Sequence, residues 1–105
     1  MKLWVDDVRQ PPNWELGSTD TWCWVTSVNK AKNAIEFFEE WFEVELIDLD
    51  HDAGDYANDG GDYIKLLDWL EETGRNYPIR IHSMNPVGVE NMRRIIQRNG
   101  WTEVK

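Results

Sequence analysis

Strand-like and helix-like stretches alternate along this chain, and that alternation restricts the fold more than any other feature. Short runs rich in apolar, β-branched and aromatic residues occur at 2–5, 22–26, 44–49, 79–82 and 101–104. Each has the length and composition of a strand. Residues 29–43 place Ala31, Ala34, Ile35, Phe38, Trp41 and Phe42 at helical spacing, the pattern of a helix with one apolar face. Ser27 or Asn29 is positioned to cap its start. Residues 62–73 repeat the pattern with Tyr63, Ile64, Leu67 and Leu70, and Gly74 is placed to stop that helix. A third helix starts at Asn85-Pro86, an N-cap followed by proline at the first helical position. It carries Val89, Met92, Ile95 and Ile96 on its inner stripe and ends at Gly100.

Strands that alternate with helices imply a parallel sheet with right-handed crossovers. The expected fold is therefore α/β, a flavodoxin-like three-layer arrangement with a five-stranded parallel sheet in order 2-1-3-4-5. One crossover departs from the rule. Residues 8–20 contain Pro11-Pro12, Asn13 and Gly17 and no helical period, so the first helix is missing and a loop replaces it. A length of 105 residues suits a single domain spanning 1–105 with one modest core. Residues 53–61, with Gly54, Gly60, Gly61 and Asn58, read as a flexible loop. They match neither the phosphate-loop pattern nor a calcium loop. Seven tryptophans fill core or half-buried positions, with Trp14 in the first loop the candidate to stack on a base.

The chemistry concentrates where the strands end. Asp6-Asp7 follows the first strand, Asp50-His51-Asp52 the third, and His82-Ser83 the fourth. In open α/β sheets, ligands bind outside the carboxyl ends of the strands. Asp6, Asp7, Asp50 and Asp52 are the metal-ligand candidates, with Mg²⁺ the fitting ion because it takes carboxylates plus waters and phosphate oxygens. The plain alternative is that they are solvated turn and capping acids. His51 and His82, the two histidines of the chain, fall at ends of adjacent strands, where two imidazoles can serve as general base and general acid. Such a pair suits opening of a cyclic phosphodiester, with the order of the two roles open. Alternatively each histidine only bonds a neighbouring acid, or the acids orient the histidines without any metal. Ser83, Asn85 and the free N–H groups of the third helix can hold phosphate. Asn85 as a plain N-cap is compatible with that. Arg9 either clamps phosphate or neutralises Asp6 and Asp7.

Composition narrows the partners. A net charge of −9 argues against extended nucleic-acid binding and favours a divalent cation at a focused site. Cys23 is the single cysteine, so no internal disulfide forms and a reducing, cytoplasmic setting is expected. It reads as a buried, inert thiol. No signal peptide and no apolar run of membrane-spanning length is visible.

The acid pair after the first strand, the aspartate after the third and the serine after the fourth resemble response-regulator receiver domains. In that comparison Asp6 and Asp7 match the metal acids, Asp50 the phospho-acceptor and Ser83 the Thr/Ser position. The chain departs from the ordinary receiver: its first helix is missing, His51-Asp52 follows Asp50, His82 precedes Ser83, and the lysine after the fifth strand is absent. The strings Leu-Trp-Val-Asp-Asp-Val-Arg (3–9), Leu-Asp-His-Asp (49–52) and Ile-His-Ser-Met-Asn-Pro-Val-Gly (81–88) are similar to the cyclic-phosphate processing receiver-like domain family. The resemblance implies a phosphoesterase acting on a cyclic phosphate of a nucleotide, an ADP-ribose-type product or an RNA end. Its motif residues are Asp6, Asp7, Arg9, Asp50, His51, Asp52, His82, Ser83 and Asn85. Catalytic roles then fall to His51, His82, Asp50 and Ser83, and phosphate binding to Arg9, Ser83 and Asn85. The alternatives are a non-catalytic module that binds a phosphorylated nucleotide or a partner protein, and an ordinary phospho-accepting receiver.

Overall fold

The computed structural model describes residues 1–14 and 22–105. Four strands, β1 (Lys2–Val5), β2 (Trp22–Val25), β3 (Leu46–Leu49) and β4 (Ile79–Ile81), form one parallel sheet in the order β2-β1-β3-β4. Three helices accompany them: α1 (Val28–Trp41), α2 (Ile64–Glu72) and α3 (Pro86–Asn99). Part of the expected first loop, residues 15–21, lies outside the described residues.

The fifth strand does not form. Segment 101–104 meets β4 at one isolated bridge, Ile79 with Glu103. It is held by Ile79 N–H to the Thr102 carbonyl at 2.9 Å and Val104 N–H to the Ile79 carbonyl at 2.7 Å. β4 is three residues long, and its pairing with 101–104 is confined to this one bridge.

The described helices share one core cluster, for a reason rooted in crossover direction. From β2 to β3 to β4 the chain steps the same way across the sheet, so right-handed crossovers put α1 and α2 on one face. Their inner stripes join that of α3 in one core cluster, with Val28, Ile35, Leu66, Leu67, Met92 and Ile96 packed on Leu3, Val5, Ile47, Leu49 and Ile79. The step from β1 to β2 runs backwards and must cross the opposite face. Among the described residues that crossover carries no α-helix, and neither does the opposite face. Its side chains are the even-numbered ones, Trp4 in register with Trp24 and Asp48, and Asp48 with Arg80.

Local signals explain the helix ends. Ser27 accepts from Lys30 N–H at 3.1 Å, and Asn85 accepts from Gly88 N–H at 3.0 Å with Pro86 behind it. Gly100 closes α3 in the left-handed region, φ 67°, where glycine carries no Cβ penalty. The stripe of α1 is shorter than its sequence indicates. Trp41 lies on the stripe's edge and is 70% exposed, and Phe42 has already left the helix with extended backbone and is 56% exposed. Cys23 is half-buried rather than fully buried, and burial raises its thiol above the ordinary range.

Residues 53–61 are anchored, not loose. Ala53 N–H donates to Asp62 Oδ1 at 3.0 Å, Ser27 Oγ to Asp59 Oδ2 at 2.6 Å, and Asn29 N–H to the Asp59 carbonyl at 3.2 Å. The glycines supply tight turns here, while the aspartates act as backbone-tying acceptors. Among the described residues, no helix is long and apolar enough to cross a membrane.

Candidate functional site

The residues that follow the strands keep their backbone in the ladder. Asp6 N–H reaches the Val25 carbonyl at 3.2 Å, Asp50 N–H the Val5 carbonyl at 3.0 Å, and His82 N–H the Leu49 carbonyl at 3.0 Å. Their side chains are therefore set by the sheet and not by free loops.

Asp6 is fully buried. Its Oδ1 accepts from Val8 N–H at 3.0 Å and Arg9 N–H at 2.8 Å, and its Oδ2 lies 2.9 Å from His82 Nε2. Burial alone pushes this carboxyl up. The backbone donors of Arg9 and Val8 and the His82 ring outweigh it and hold Asp6 below the ordinary carboxylate range. Asp7 behaves oppositely: burial, then the charges of Asp6 and Asp50, raise it despite its own backbone N–H. Asp6, Asp7 and Asp50 each place a carboxylate oxygen within 4.8 Å of the others. A Cβ on Gly54 would collide with the Asp7 carboxylate, so the glycine there leaves the acid its place. Three hard oxygen donors in this spacing, one of them raised by burial and then by its acidic neighbours, fit a divalent cation such as Mg²⁺. Asp52 lies outside that cluster and faces His51 and Asn85 instead.

The two histidines have different surroundings. His82 Nδ1 lies 2.6 Å from Asp48 Oδ1 while its Nε2 meets Asp6. The ring stacks on Trp4 with centroids 3.8 Å apart and planes 3° from parallel. It thus lies over the face opposite the described helices, with one carboxylate at each ring nitrogen. His51 belongs to the helix side. Its Nδ1 is 2.9 Å from Asp52 Oδ1, its backbone N–H donates to Asp50 Oδ1 at 2.7 Å, and its ring rests against Gly88 at the start of α3. Its Nε2 has no partner among the described residues. The two rings share no hydrogen-bond partner; the link between them runs through Asp50 and the acid cluster.

The remaining sequence candidates frame this pair. Asn85 caps Gly88 with its oxygen and turns its Nδ2 to Asp52 Oδ2 at 3.4 Å and His51 Nδ1 at 3.5 Å. Ser83 Oγ accepts from Asn85 N–H at 3.1 Å. It opens onto a cavity of about 530 Å³ lined by Met84, Pro86, Val89, Glu90 and Arg93. Arg9 does not clamp the acids with its guanidinium; Nη1 donates to the His82 carbonyl at 3.4 Å while its backbone N–H serves Asp6. Trp14 is 45% exposed and meets Trp24 edge-on at 6.1 Å.

Sequence reading missed Asp48, Trp4 and Gly88. A signal for Asp48 was present: it is the one charge inside the apolar run Leu46-Ile47-Asp48-Leu49, and a buried carboxylate needs a partner. Gly88, in the first turn of a helix, marks a close approach for the same kind of reason.

No curated protein and no solved structure matches the chain significantly. The family described as the cyclic-phosphate processing receiver domain matches residues 1–98, a span that includes every residue of the site just described. The chain belongs to the cyclic-phosphate processing receiver domain family.

Proposed function

We propose that this domain is a phosphoesterase that opens a cyclic phosphate on a small nucleotide, an ADP-ribose-type product or an RNA end. The observation that carries the reading is the meeting of an acid cluster, Asp6, Asp7 and Asp50, with an imidazole whose Nε2 is free, beside the N-terminus of α3. In the reaction, water forms a new P–O bond and gives up a proton, one ribose P–O bond breaks, and the leaving oxygen takes up a proton, so that the proton lost by water balances the one gained. His51 carries that proton at Nε2, oriented by Asp52 at Nδ1. Asp50 fixes the position of His51 through the backbone N–H. His82 acts with it at one remove: clamped between Asp48 and Asp6, it holds the Asp6 carboxylate in place. Ser83, Asn85 and the Val87 N–H in the first turn of α3 face the phosphate, Arg9 borders it, and the cavity beside Ser83 takes the nucleoside end. Asp6, Asp7 and Asp50 would hold Mg²⁺, with Asp52 at the margin, and the ion would supply charge neutralisation for the phosphate oxygens.

A second reading, a module that binds a phosphorylated nucleotide without turnover, is favoured by one observation. Both nitrogens of His82 are committed to carboxylates, so one free imidazole nitrogen is on offer rather than two. Incubation with 2′,3′-cyclic nucleotides and ADP-ribose cyclic phosphates, with and without Mg²⁺, followed by ³¹P NMR, separates the readings. Conversion of the strained cyclic signal to a monoester by wild type and not by His51→Ala supports the enzyme. Broadened but unconverted resonances support the binding module, and an unchanged spectrum removes both.

A further inference from the structure

The C-terminal end of α1 carries a second surface that owes nothing to the strand-end site. Phe37, Trp41 and Phe42 are 57%, 70% and 56% exposed. Phe37 and Trp41 stand four residues apart on the helix and so share a face, and Phe42 packs edge-on against Phe38 at 6.2 Å. Large aromatic side chains grouped in the open mark an interaction surface, whereas single exposed apolar residues do not. Their surroundings are acidic. Glu36, Glu40 and Glu43 are exposed and form no side-chain ion pair among the described residues. Their neighbour Glu39, by contrast, is fully engaged by Arg75 with bonds of 2.9 and 3.1 Å.

We propose that this face docks a basic amphipathic segment of a partner protein, its apolar side chains over Phe37, Trp41 and Phe42 and its Lys or Arg residues against Glu36, Glu40 and Glu43. Charge complementarity selects that occupant. Aromatic faces and carboxylates both attract cations, so one basic segment satisfies both. A second copy of the chain would bring the same carboxylates against themselves on a molecule of net charge −9. Anionic lipid headgroups and nucleic-acid phosphates are repelled for the same reason.

The test uses the full chain and a fluorescein-labelled amphipathic helix of leucine and lysine, about five turns long, with a scrambled peptide of equal composition. Binding is followed by fluorescence anisotropy, and circular dichroism verifies that the variants fold. The expected result is that wild type prefers the amphipathic peptide. Phe37→Ser/Trp41→Ser and Glu40→Lys/Glu43→Lys each lose about tenfold or more in affinity, the second also losing the salt dependence. Four results overturn the proposal: no binding by wild type, equal affinity for the scrambled peptide, unchanged affinity in both folded variants, or a wild-type dimer that Phe37→Ser/Trp41→Ser dissolves.

Discussion

Replacing Asp48 with alanine should cost this domain far more stability than its single side chain implies. Asp48 is 1% exposed and lies 2.6 Å from His82 Nδ1, and His82 is itself only 13% exposed, lying on Trp4 with its other nitrogen on Asp6. Leaving one partner of a buried hydrogen bond unsatisfied costs about 1–3 kcal/mol, and more where a charged group takes part. The 2.6 Å contact engages a buried carboxylate, which places the expected loss at the upper end, about 3 kcal/mol. In a domain of this length each kcal/mol moves the midpoint by about 4–8 °C, so Tm should fall by about 12–24 °C. Asp48→Asn keeps an oxygen acceptor but gives up the charge, and about half that loss is expected. Arg80→Ala is the control. Arg80 approaches Asp48 only to 3.9 Å and its side chain is 48% exposed, so its loss should stay within about 0.5 kcal/mol. Urea unfolding with a check that the m-value is unchanged gives the free energies. A loss below about 1 kcal/mol for Asp48→Ala, or one equal to that of Arg80→Ala, would refute the view that His82 is held as a buried, doubly bonded group.

Other perturbations probe the site from different sides. Mg²⁺ should raise the Tm of wild type, by the equivalent of about 2.7 kcal/mol at a hundredfold excess over Kd; Asp50→Asn should abolish the response, and a response that survives would place the ion elsewhere. Asp7, whose carboxyl is raised first by burial and then by its acidic neighbours, contributes stability when protonated and loses it as pH rises through its raised value. Asp7→Asn should therefore stabilise the metal-free protein at pH 7 while removing the Mg²⁺ response, and a destabilised variant would contradict that sign. Asp6 has the reverse sign: held below 3.8 chiefly by backbone donors that overcome burial, it supplies stability above that pH that is lost as pH falls further. Acid denaturation of Asp6→Asn should accordingly be flatter below pH 3.8 than that of wild type, and parallel curves would exclude Asp6 as a source of the acid limb. Gly88→Ala gains about 1 kcal/mol of helix propensity but places a Cβ 2.5 Å from His51 Cγ. The helix should persist and the ring should be displaced, read as a shifted His51 imidazole resonance and lost turnover in a folded protein; an unmoved resonance would show that the contact yields.

What the sequence made legible follows from where its signals are local. The strand-end clusters could be read because a parallel sheet places all strand ends on one edge, so Asp6, Asp50 and His82 needed only the alternation of elements to be brought together. Caps at Ser27 and Asn85 could be read because their chemistry acts within three residues. The partners of His82 could not. Asp48 lies 34 residues away and Asp6 76 residues away in the chain, and which face His82 turns to depends on the sheet's twist and register, not on spacing. The fifth strand was over-read for a similar reason: the composition of 101–104 suits a strand, but whether it pairs depends on its register against β4, where it makes one bridge. Trp41 and Phe42 misled because periodicity continues past the point at which the helix, ending at Trp41, still faces the core.

The covering of the sheet's second face ties the fold to the site. Among the described residues no α-helix covers the even face of β1, β2 and β3, and side chains of the strands and of the segment after β1 lie on it. That accounts for the tryptophans at 4, 22 and 24: Trp4 meets Trp22 edge-on at 5.5 Å, and Trp14 from the loop meets Trp24. A buried indole also needs an acceptor for its N–H; Trp22 Nε1 is buried with no partner among the described residues, while for the other two the acceptors are carbonyls of the turn after β1. Trp4 Nε1 donates to the Arg9 carbonyl at 2.6 Å and Trp24 Nε1 to the Asp6 carbonyl at 2.9 Å. Asp6 to Arg9 is the turn that wraps the Asp6 carboxylate with backbone N–H groups. The rings that cover the bare face therefore also fix the turn that shapes the acid cluster, and His82, lying on Trp4, joins the two. A receiver-like sheet with a helix on that face has no need of such indoles. In this chain the cover of the sheet and the support of the candidate site are the same set of side chains.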